Sequence, residues 1–306
     1  MSKSVMRNMP LAACLILFSG FASAQVLYGI NYTGSDGLST FNTISTTTGA
    51  ATPVGAIGFE RCSGMDVSPA GIIYAACERS DGSDTPVLIT INETTGAGTE
   101  VGPTGITGAV GDISFRPSDG VLFAYDATND PDHSLYTLNT STGAATLVGD
   151  TGLSLAGGNA MSFDLGGVLY HSQFTGGPSP DLNTLNTSTG APTLLGQVTP
   201  TTGRYNGMDV NPSSGVLYAT ENNGSGGSGP TNLVTINPVT LTATTIGATL
   251  GDLDALAFAG GGAPPAPTVD LPVMGRTGML ILVLGAALAG LMAFRSGRQR
   301  RNTQRR

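Results

Sequence analysis

Several residue types are scarce in this 306-residue chain, and each scarcity excludes a class of protein. Charged residues make up only 11% of the chain, whereas coiled coils and helix-rich globular proteins depend on Glu, Lys and other strong helix formers. Tryptophan is absent, and Lys3 is the single lysine. Hydrophobic residues nevertheless reach 40%, too many for a disordered protein. Gly, Thr, Val, Ile and Asn are abundant instead, and they favour short strands joined by turns.

The basic residues are concentrated at the two ends of the chain. Residues 25–270 contain four arginines and 21 acidic residues, so this body has a formal charge of −17, against −8 for the whole chain. A surface with this charge repels phosphate groups and anionic lipids. We therefore expect no nucleic-acid partner.

The first 24 residues have the three parts of a secretory signal peptide. Lys3 and Arg7 form the basic region, residues 11–18 (LAACLILF) form the apolar region, and Ala22-Ser23-Ala24 fits the cleavage rule. A lipoprotein signal is the alternative, because Leu11–Cys14 matches a lipobox. It is rejected because the apolar run must precede the modified cysteine, and here it follows. The chain is thus predicted to be exported by the Sec route.

The C-terminal end also has three parts. Residues 261–270 form a Gly/Pro linker, and residues 277–294 (TGMLILVLGAALAGLMAF) carry no charge. Eighteen helical residues span about 27 Å, close to the hydrocarbon core of a bilayer. The tail that follows contains six arginines in twelve residues. The positive-inside rule then predicts one transmembrane helix over 277–294, an Arg-rich cytoplasmic tail and a periplasmic body.

Residues 271–306 resemble the IPTL-CTERM type of bacterial sorting signal, which is similar to the PEP-CTERM class. The residues that carry the resemblance precede and open the apolar span: Leu271, Pro272, Val273, Met274, Gly278 and Met279. The resemblance implies processing by an exosortase-like membrane protease and delivery to the cell surface. Two departures are LPVM in place of IPTL and Thr277 where an aromatic residue is usual. A plain membrane anchor is the alternative.

The body between the two ends consists of repeats. The segment VLYGI (26–30) recurs with its aromatic residue at intervals of 46, 49, 47 and 48 residues. Three further segments recur in step: an Ile or Leu strand followed by a Thr-Gly turn, a strand of the type AATLVG, and a strand of the type GMDVSP. The aromatic positions are Tyr28, Tyr74, Phe123, Tyr170 and Tyr218.

Five copies of four short strands, with a period near 48 residues, indicate a five-bladed β-propeller over residues 25–260. The first copy begins at its second strand, and a lone first strand (DALAF) ends the body. We therefore expect the C-terminal strand to complete the first blade and close the ring. A β-helix is the alternative, but its repeat is far shorter. The blades resemble secreted bacterial propellers, and the absence of tryptophan argues against WD40 and quinoprotein propellers.

Two cysteines remain after removal of the signal peptide, Cys62 and Cys77. They flank the hairpin of the second repeat, and pairing Val67 with Ile72 places them opposite each other on adjacent strands. In an oxidising compartment an even count favours a structural disulfide. A metal site on these cysteines is not expected, because both histidines lie in other repeats.

The long loops after each second strand are expected on one face of the ring, where binding sites tend to occur. One of them offers a weak candidate calcium site with oxygen ligands from Asp126, Asn129, Asp130 and Asp132, but without EF-hand spacing. A solvated loop is the preferred interpretation. His133 and His171 are expected to be surface residues. No other cofactor is expected.

These patterns predict an exported binding or scaffold protein, membrane-anchored or sorted to the cell surface, associated with exopolysaccharide or other surface proteins. The alternative is a glycan-active hydrolase with two carboxylates in the central funnel. Asp66 and Asp209 share one repeat position, with Asp112 and Asp254 close by. Repetition argues for a structural role, because an active site breaks symmetry, and we identify no catalytic set of residues. A purely structural surface protein is a third possibility.

Overall fold

The structure is a computed structural model that describes residues 25–260, apart from positions 33–36, 84, 128–132, 154–158, 175, 177–178, 202 and 224–229. The predicted signal peptide, linker, sorting motif and transmembrane segment lie outside the described residues. Within the described part, no helix is long and apolar enough to cross a membrane.

The described residues form a five-bladed β-propeller, and each blade is a four-stranded antiparallel sheet. Blade 1 combines β20 from the end of the body with three strands from its start, in the order β20, β1, β2, β3. Blades 2 to 5 each use four consecutive strands, and the innermost is β4, β8, β12 or β16.

The strands are short, as the repeat predicts. Blade 1 contains β1 (Leu27–Asn31), β2 (Thr40–Ile44), β3 (Ala51–Ala56) and β20 (Leu253–Phe258). Blade 2 contains β4 (Glu60–Val67), β5 (Ile73–Glu78), β6 (Pro86–Ile91) and β7 (Gly98–Pro103). Blade 3 contains β8 (Val110–Phe115), β9 (Leu122–Asp126), β10 (Ser134–Leu138) and β11 (Ala145–Asp150). Blade 4 contains β12 (Met161–Phe163), β13 (Leu169–Gln173), β14 (Asp181–Leu185) and β15 (Pro192–Gln197). Blade 5 contains β16 (Arg204–Val210), β17 (Leu217–Asn222), β18 (Thr231–Asn237) and β19 (Thr242–Ala248).

The C-terminal strand closes the ring, as expected from the sequence. β20 pairs antiparallel with β1, with Phe258 opposite Leu27 and Leu256 opposite Gly29. This pairing joins the two ends of the body within one sheet, so both ends of the ring are tied by backbone hydrogen bonds.

The core lies between the blades and contains no tryptophan. We call the interface between two adjacent blades a seam. At three of the seams, the repeated aromatic residue of one blade packs edge-on against a phenylalanine on the inner strand of the next blade. The ring centroids are 5.1–5.6 Å apart in these pairs: Tyr74–Phe115, Phe123–Phe163 and Tyr218–Phe258. Aliphatic residues and methionines fill the remaining space, as the composition predicts.

The glycines of the repeat hold neighbouring blades at close range. A Cβ atom on Gly102, at the end of β7, would lie 2.2 Å from the carbonyl oxygen of Thr142 in blade 3. The turn glycine beside it, Gly143, has φ of 79°. Only glycine fits this close contact of two backbones, which explains the repeated Thr-Gly and Val-Gly pairs. The fifth copy lacks the turn glycine, and Leu241 adopts φ of 55° there.

The disulfide expected from the sequence is present between Cys62 and Cys77. The expected register is wrong by one residue, because Val67 pairs with Ile73 and not with Ile72. An irregularity in β4 between Glu60 and Gly64 shifts the register and brings Cys62 to Cys77. Cys62 therefore reaches Cys77 through the extra residues of a bulge, and not through the regular strand pairing that the sequence predicts.

Candidate functional site

One repeat position on the inner strands joins adjacent blades by polar contacts. The residues at this position are Asp66, Ser114, Ser162, Asp209 and Ala257. The two aspartates are prominent in the sequence and the two serines are not, although all four occupy the same place in the repeat. Side chains at this position face the following blade, where the backbone N–H groups of an inner strand lie within reach.

Asp66 spans the seam between blades 2 and 3. Its Oδ2 accepts hydrogen bonds from the backbone N–H of Phe115 at 2.6 Å and from the hydroxyl of Ser114 at 3.3 Å. Its Oδ1 accepts the N–H of Val67 at 2.6 Å. Ser114 continues the pattern, because its hydroxyl oxygen accepts the N–H of Phe163 in blade 4 at 3.1 Å.

Asp209 spans the seam between blades 5 and 1 in the same way. Its Oδ2 accepts the N–H of Phe258 at 2.5 Å, and its Oδ1 accepts the N–H of Val210 at 2.7 Å. The hydroxyl of Ser162 shares its one proton between the carbonyl oxygen of Phe163 at 3.2 Å and Oδ1 of Asp209 at 3.4 Å. In blade 1 the equivalent residue is Ala257, and the seam between blades 1 and 2 uses other polar contacts, among them the backbone N–H of Cys62, which donates to the hydroxyl of Ser39 at 3.0 Å.

Asp112 breaks the symmetry of the ring. The equivalent positions are occupied by Gly64, Ala160, Gly207 and Ala255, so only blade 3 carries a charged group here. The Oδ2 of Asp112 accepts the N–H of Met161 in blade 4 at 2.9 Å and that of Met208 in blade 5 at 3.4 Å. One fully buried side chain therefore binds two other blades across the axis of the ring.

Burial raises the pKa of each of these carboxyls. Asp66 has its pKa raised by desolvation to about 6, although three hydrogen bonds stabilise the charged form. Desolvation also raises the pKa of Asp209 well above its usual value, and the negative charge of Asp66 raises it further. The pKa of Asp112 is raised well above its usual value by burial. The charge of Asp66 also raises the pKa of Asp112, so these three carboxyls are electrostatically linked.

A fourth carboxyl, Asp254, lies on β20 and accepts a hydrogen bond from the side-chain amide of Asn206 in blade 5. Burial raises its pKa to about 7. Asp254 does not line the cavity described next, so the four aspartates singled out in the sequence do not form one cluster around it.

An open cavity of about 290 Å³ lies at one end of the ring axis. Asp66, Ser114 and Asp209 lie at its inner end, where the inner strands approach their last residues. The hairpins that follow these strands form its mouth. The walls and mouth are mainly apolar, and the residues concerned are Val67, Pro69, Phe115, Pro117, Phe163, Leu165, Val210, Pro212 and Phe258. We call this cavity the funnel.

The funnel opens on the face of the short turns, and not on the face of the long loops. The hairpin after β4 begins where Val67 pairs with Ile73, and at the same end of the blade Ile73 pairs with Ile91. The turn between β6 and β7 therefore lies at this end too. The longer loops after each second strand begin at the opposite end, so the expected binding face and the observed funnel differ.

The two histidines are not surface residues, contrary to expectation. His133 and His171 are 2% and 0% exposed, and both approach the ring of Tyr125 at the seam between blades 3 and 4. The centroid of His171 lies 4.0 Å from that of Tyr125. Neither ring nitrogen of His171 has a hydrogen-bond partner among the described residues. Burial, aided by His133, lowers the pKa of His171 to about 3.

The weak calcium candidate lies largely outside the described residues. Asp126 is described and buried, and its backbone carbonyl contacts the Nδ1 of His133 at 3.3 Å. Asn129, Asp130 and Asp132 are not described. Elsewhere in the described part of the chain, no group of three or more His, Cys, Asp or Glu side chains is placed to hold a metal ion.

Known structures resemble this chain in fold. TolB from Acinetobacter baumannii has 13% identity over 77% of this chain and 66% of its own, with a TM-score of 0.47. A gluconolactonase from Xanthomonas campestris has 14% identity over 76% and 79%, with a TM-score of 0.45. A calcium-binding regucalcin from Agrobacterium tumefaciens has 16% identity over 62% and 66%, with a TM-score of 0.39.

These neighbours are β-propeller proteins. The chain spans slightly less than two thirds of TolB and of regucalcin. No protein-family model matches the sequence, and no curated protein matches it. At identities of 16% or less, the likeness concerns the fold alone and assigns no activity to this chain.

Proposed function

We propose that this protein is an exported β-propeller that acts at the cell surface as a binding or scaffold protein associated with exopolysaccharide. The N-terminal signal sequence and the C-terminal apolar span with its arginine tail support export and anchoring. An exosortase-like protease is the proposed partner that processes residues 271–306. The body is then held at the membrane or released to the surface.

The binding role is supported by the hydrogen bonds that three carboxylates on the inner strands form with neighbouring blades. Asp66, Asp112 and Asp209 each accept backbone N–H groups from other blades, which fixes the inner strands in one arrangement. A rigid ring with an open central funnel is a preformed binding scaffold, because little conformational entropy is lost when a ligand enters it.

A second candidate function is glycan hydrolysis. One observation favours it: Asp66 and Asp209 line the same open cavity, and burial raises the pKa of both. A glycosidase needs one protonated and one ionised carboxyl on opposite sides of the scissile bond. Against it, both carboxyls already accept three hydrogen bonds from the protein.

One experiment separates the two functions. The purified full-length chain is mixed with a panel of bacterial exopolysaccharides, and both cosedimentation and newly released reducing ends are measured. The binding role predicts cosedimentation with at least one polysaccharide and no reducing ends above a no-protein control. Reducing ends that are produced by the chain and abolished in Asp66→Asn would establish the hydrolase, and absence of both signals would contradict both candidates.

A further inference from the structure

The funnel combines an acidic inner end with apolar walls and has no basic lining residue. Asp66 and Asp209 are the charged groups among the residues that line it, and no Lys, Arg or His is among them. The nearest arginine in sequence, Arg116, forms an ion pair with Asp119 at 2.7 Å. Asp66, whose pKa is about 6, carries a negative charge at pH 7 that is not balanced from within the funnel, and the apolar walls focus its field towards the mouth.

Each carboxylate retains capacity for one further hydrogen bond. An ionised carboxylate can accept about four hydrogen bonds, two at each oxygen. Asp66 accepts one at Oδ1 and two at Oδ2 from described residues. Asp209 accepts two at Oδ1 and one at Oδ2. One acceptor position thus remains on Oδ1 of Asp66 and one on Oδ2 of Asp209.

We propose that the funnel binds a primary ammonium group carried by a compact body, such as a short alkyl chain or a single amino sugar. An ammonium group has three N–H donors, so it can donate to a remaining acceptor position and also neutralise charge. This inference rests on the proposed binding role, but not on the processing of the C-terminus.

The same arrangement disfavours a metal ion and a neutral ligand. A calcium ion needs six to eight oxygen ligands with lone pairs directed at it, whereas most acceptor positions of these carboxylates are taken by N–H and O–H donors. A neutral alcohol can donate one hydrogen bond but leaves the negative charge uncompensated in apolar surroundings.

The walls suit the body that carries the ammonium group. Phe115, Phe163 and Phe258 line the funnel together with two valines and three prolines. Aromatic faces attract a cation that is partly removed from water, and they also pack against the C–H groups of an alkyl chain or a sugar ring. A volume of about 290 Å³ admits one such body rather than a long chain.

The test is a calorimetric titration of the purified full-length chain at pH 7 with two matched pairs of probes. The first pair is n-butylammonium and n-butanol, and the second is glucosamine and N-acetylglucosamine. Within at least one pair, the charged probe should bind about tenfold more tightly than its neutral partner, the factor that one charge-assisted hydrogen bond typically contributes. Preference within the first pair alone identifies an alkylamine as the source, and preference within the second identifies an amino sugar.

Two variants with matched controls locate the site. Asp209→Asn should weaken binding of the charged probe at least tenfold, whereas Asp81→Asn, which removes an exposed charge, should leave it unchanged. Leu165 lies at the mouth and is 53% exposed, so its replacement does not disturb the core. Leu165→Arg should weaken binding about threefold at low salt relative to Leu165→Gln, because it places a positive charge at the entrance. If Asp209→Asn does not fold, the comparison of Leu165→Arg with Leu165→Gln tests the inference by itself.

Equal affinity within both pairs of probes would overturn the inference, as would displacement of n-butylammonium by calcium ions at equal concentration. Binding that is unchanged by Leu165→Arg would also overturn it. Cosedimentation with exopolysaccharide but no ammonium binding would overturn this inference and leave the proposed function standing. Ammonium binding without cosedimentation would support this inference and contradict the proposed association with exopolysaccharide.

Discussion

The carboxylate of Asp66 accepts a hydrogen bond of 2.6 Å from the backbone N–H of Phe115, which lies on the inner strand of the next blade. Asp209 forms the equivalent bond with Phe258 across the seam between blades 5 and 1. These contacts show that neighbouring blades are joined near the axis by side chains that bind backbone groups, in addition to the apolar contacts further out. Two aspartates that the sequence offers as candidate catalytic residues thus join neighbouring blades.

Replacing Asp66 with alanine should destabilise the ring. The change leaves the N–H groups of Val67 and Phe115 without their acceptor in the buried inner layer. Loss of hydrogen bonds to a charged group in such a position costs about 2 kcal/mol. Urea unfolding at pH 7, followed by circular dichroism, measures the difference. The exposed Asp81→Ala variant is the control, and a midpoint equal to that of the parent chain would contradict the proposed role of Asp66.

Asp254 should make the protein less stable as the pH rises. Its pKa is raised to about 7 by burial, from an unperturbed value near 4, so its contribution is complete below pH 4 and declines as the pH rises to 7. The loss reaches roughly 4 kcal/mol above pH 7. Asp254→Asn should therefore unfold at higher denaturant concentration than the parent chain at pH 8, with little difference at pH 4. A constant difference across this range would contradict the assignment.

His171 should have the opposite effect. Burial lowers its pKa to about 3 from 6.5. The contribution of His171 to the free energy of unfolding is therefore complete above pH 6.5 and declines as the pH falls towards 3. The groups that approach the ring are Tyr125 and His133, and neither supplies a negative charge to stabilise a protonated imidazole. His171→Phe keeps an aromatic ring in the seam and removes the titration.

This variant should be more stable than the parent chain at pH 5, and the advantage should shrink at pH 8. Denaturant unfolding at the two pH values measures it. His133→Phe serves as a comparison at the other side of Tyr125. An advantage for His171→Phe that is equal at both pH values would show that imidazole protonation is not the cause.

The disulfide should contribute about 3 kcal/mol to stability, the value expected from the entropy of a loop of about 15 residues in the unfolded chain. The double variant Cys62→Ala and Cys77→Ala should unfold at a lower temperature than the parent chain under non-reducing conditions. Under strong reducing conditions the two should unfold at nearly the same temperature. Identical melting without a reductant would mean that the bridge does not stabilise the ring.

The close contact between blades 2 and 3 gives a steric prediction. A Cβ at position 102 would lie 2.2 Å from the carbonyl oxygen of Thr142, which belongs to the backbone and cannot move alone. Gly102→Ala should cost at least about 2 kcal/mol. Gly166→Ala is the matched control, because its Cβ would meet only the side chain of Asp164, at 3.3 Å. Equal stability of the two variants, measured by thermal unfolding, would contradict the close packing of this seam.

The sequence predicts the fold well because its information is local. Each strand and each Thr-Gly turn is encoded within a few residues, and five copies make the period visible. The closure of the ring also follows from the sequence, since an isolated first strand at Leu253–Phe258 has one place to pair. Repetition thus converts weak local signals into a specific architecture.

The sequence predicts less of the candidate site, because this site depends on contacts between blades. The bulge in β4 that brings Cys62 to Cys77 leaves no trace in the alternation of polar and apolar residues. The burial of His171 depends on the facing ring of Tyr125, about 46 residues earlier in the chain. Asp112 is among the aspartates named from the sequence, and its departure from the repeat is visible there too, because the other four copies have Gly or Ala at this position.

The most direct test of the proposed function is the intact mass and the C-terminal residue of the native protein in fractionated cells. We predict a chain that begins at Gln25 and ends near residues 271–275, recovered at the cell surface or in the extracellular matrix. A chain that still carries Arg306 in the inner membrane would contradict sorting and leave a plain anchor. A chain that keeps residues 1–24 and remains in the cytoplasm would contradict export itself.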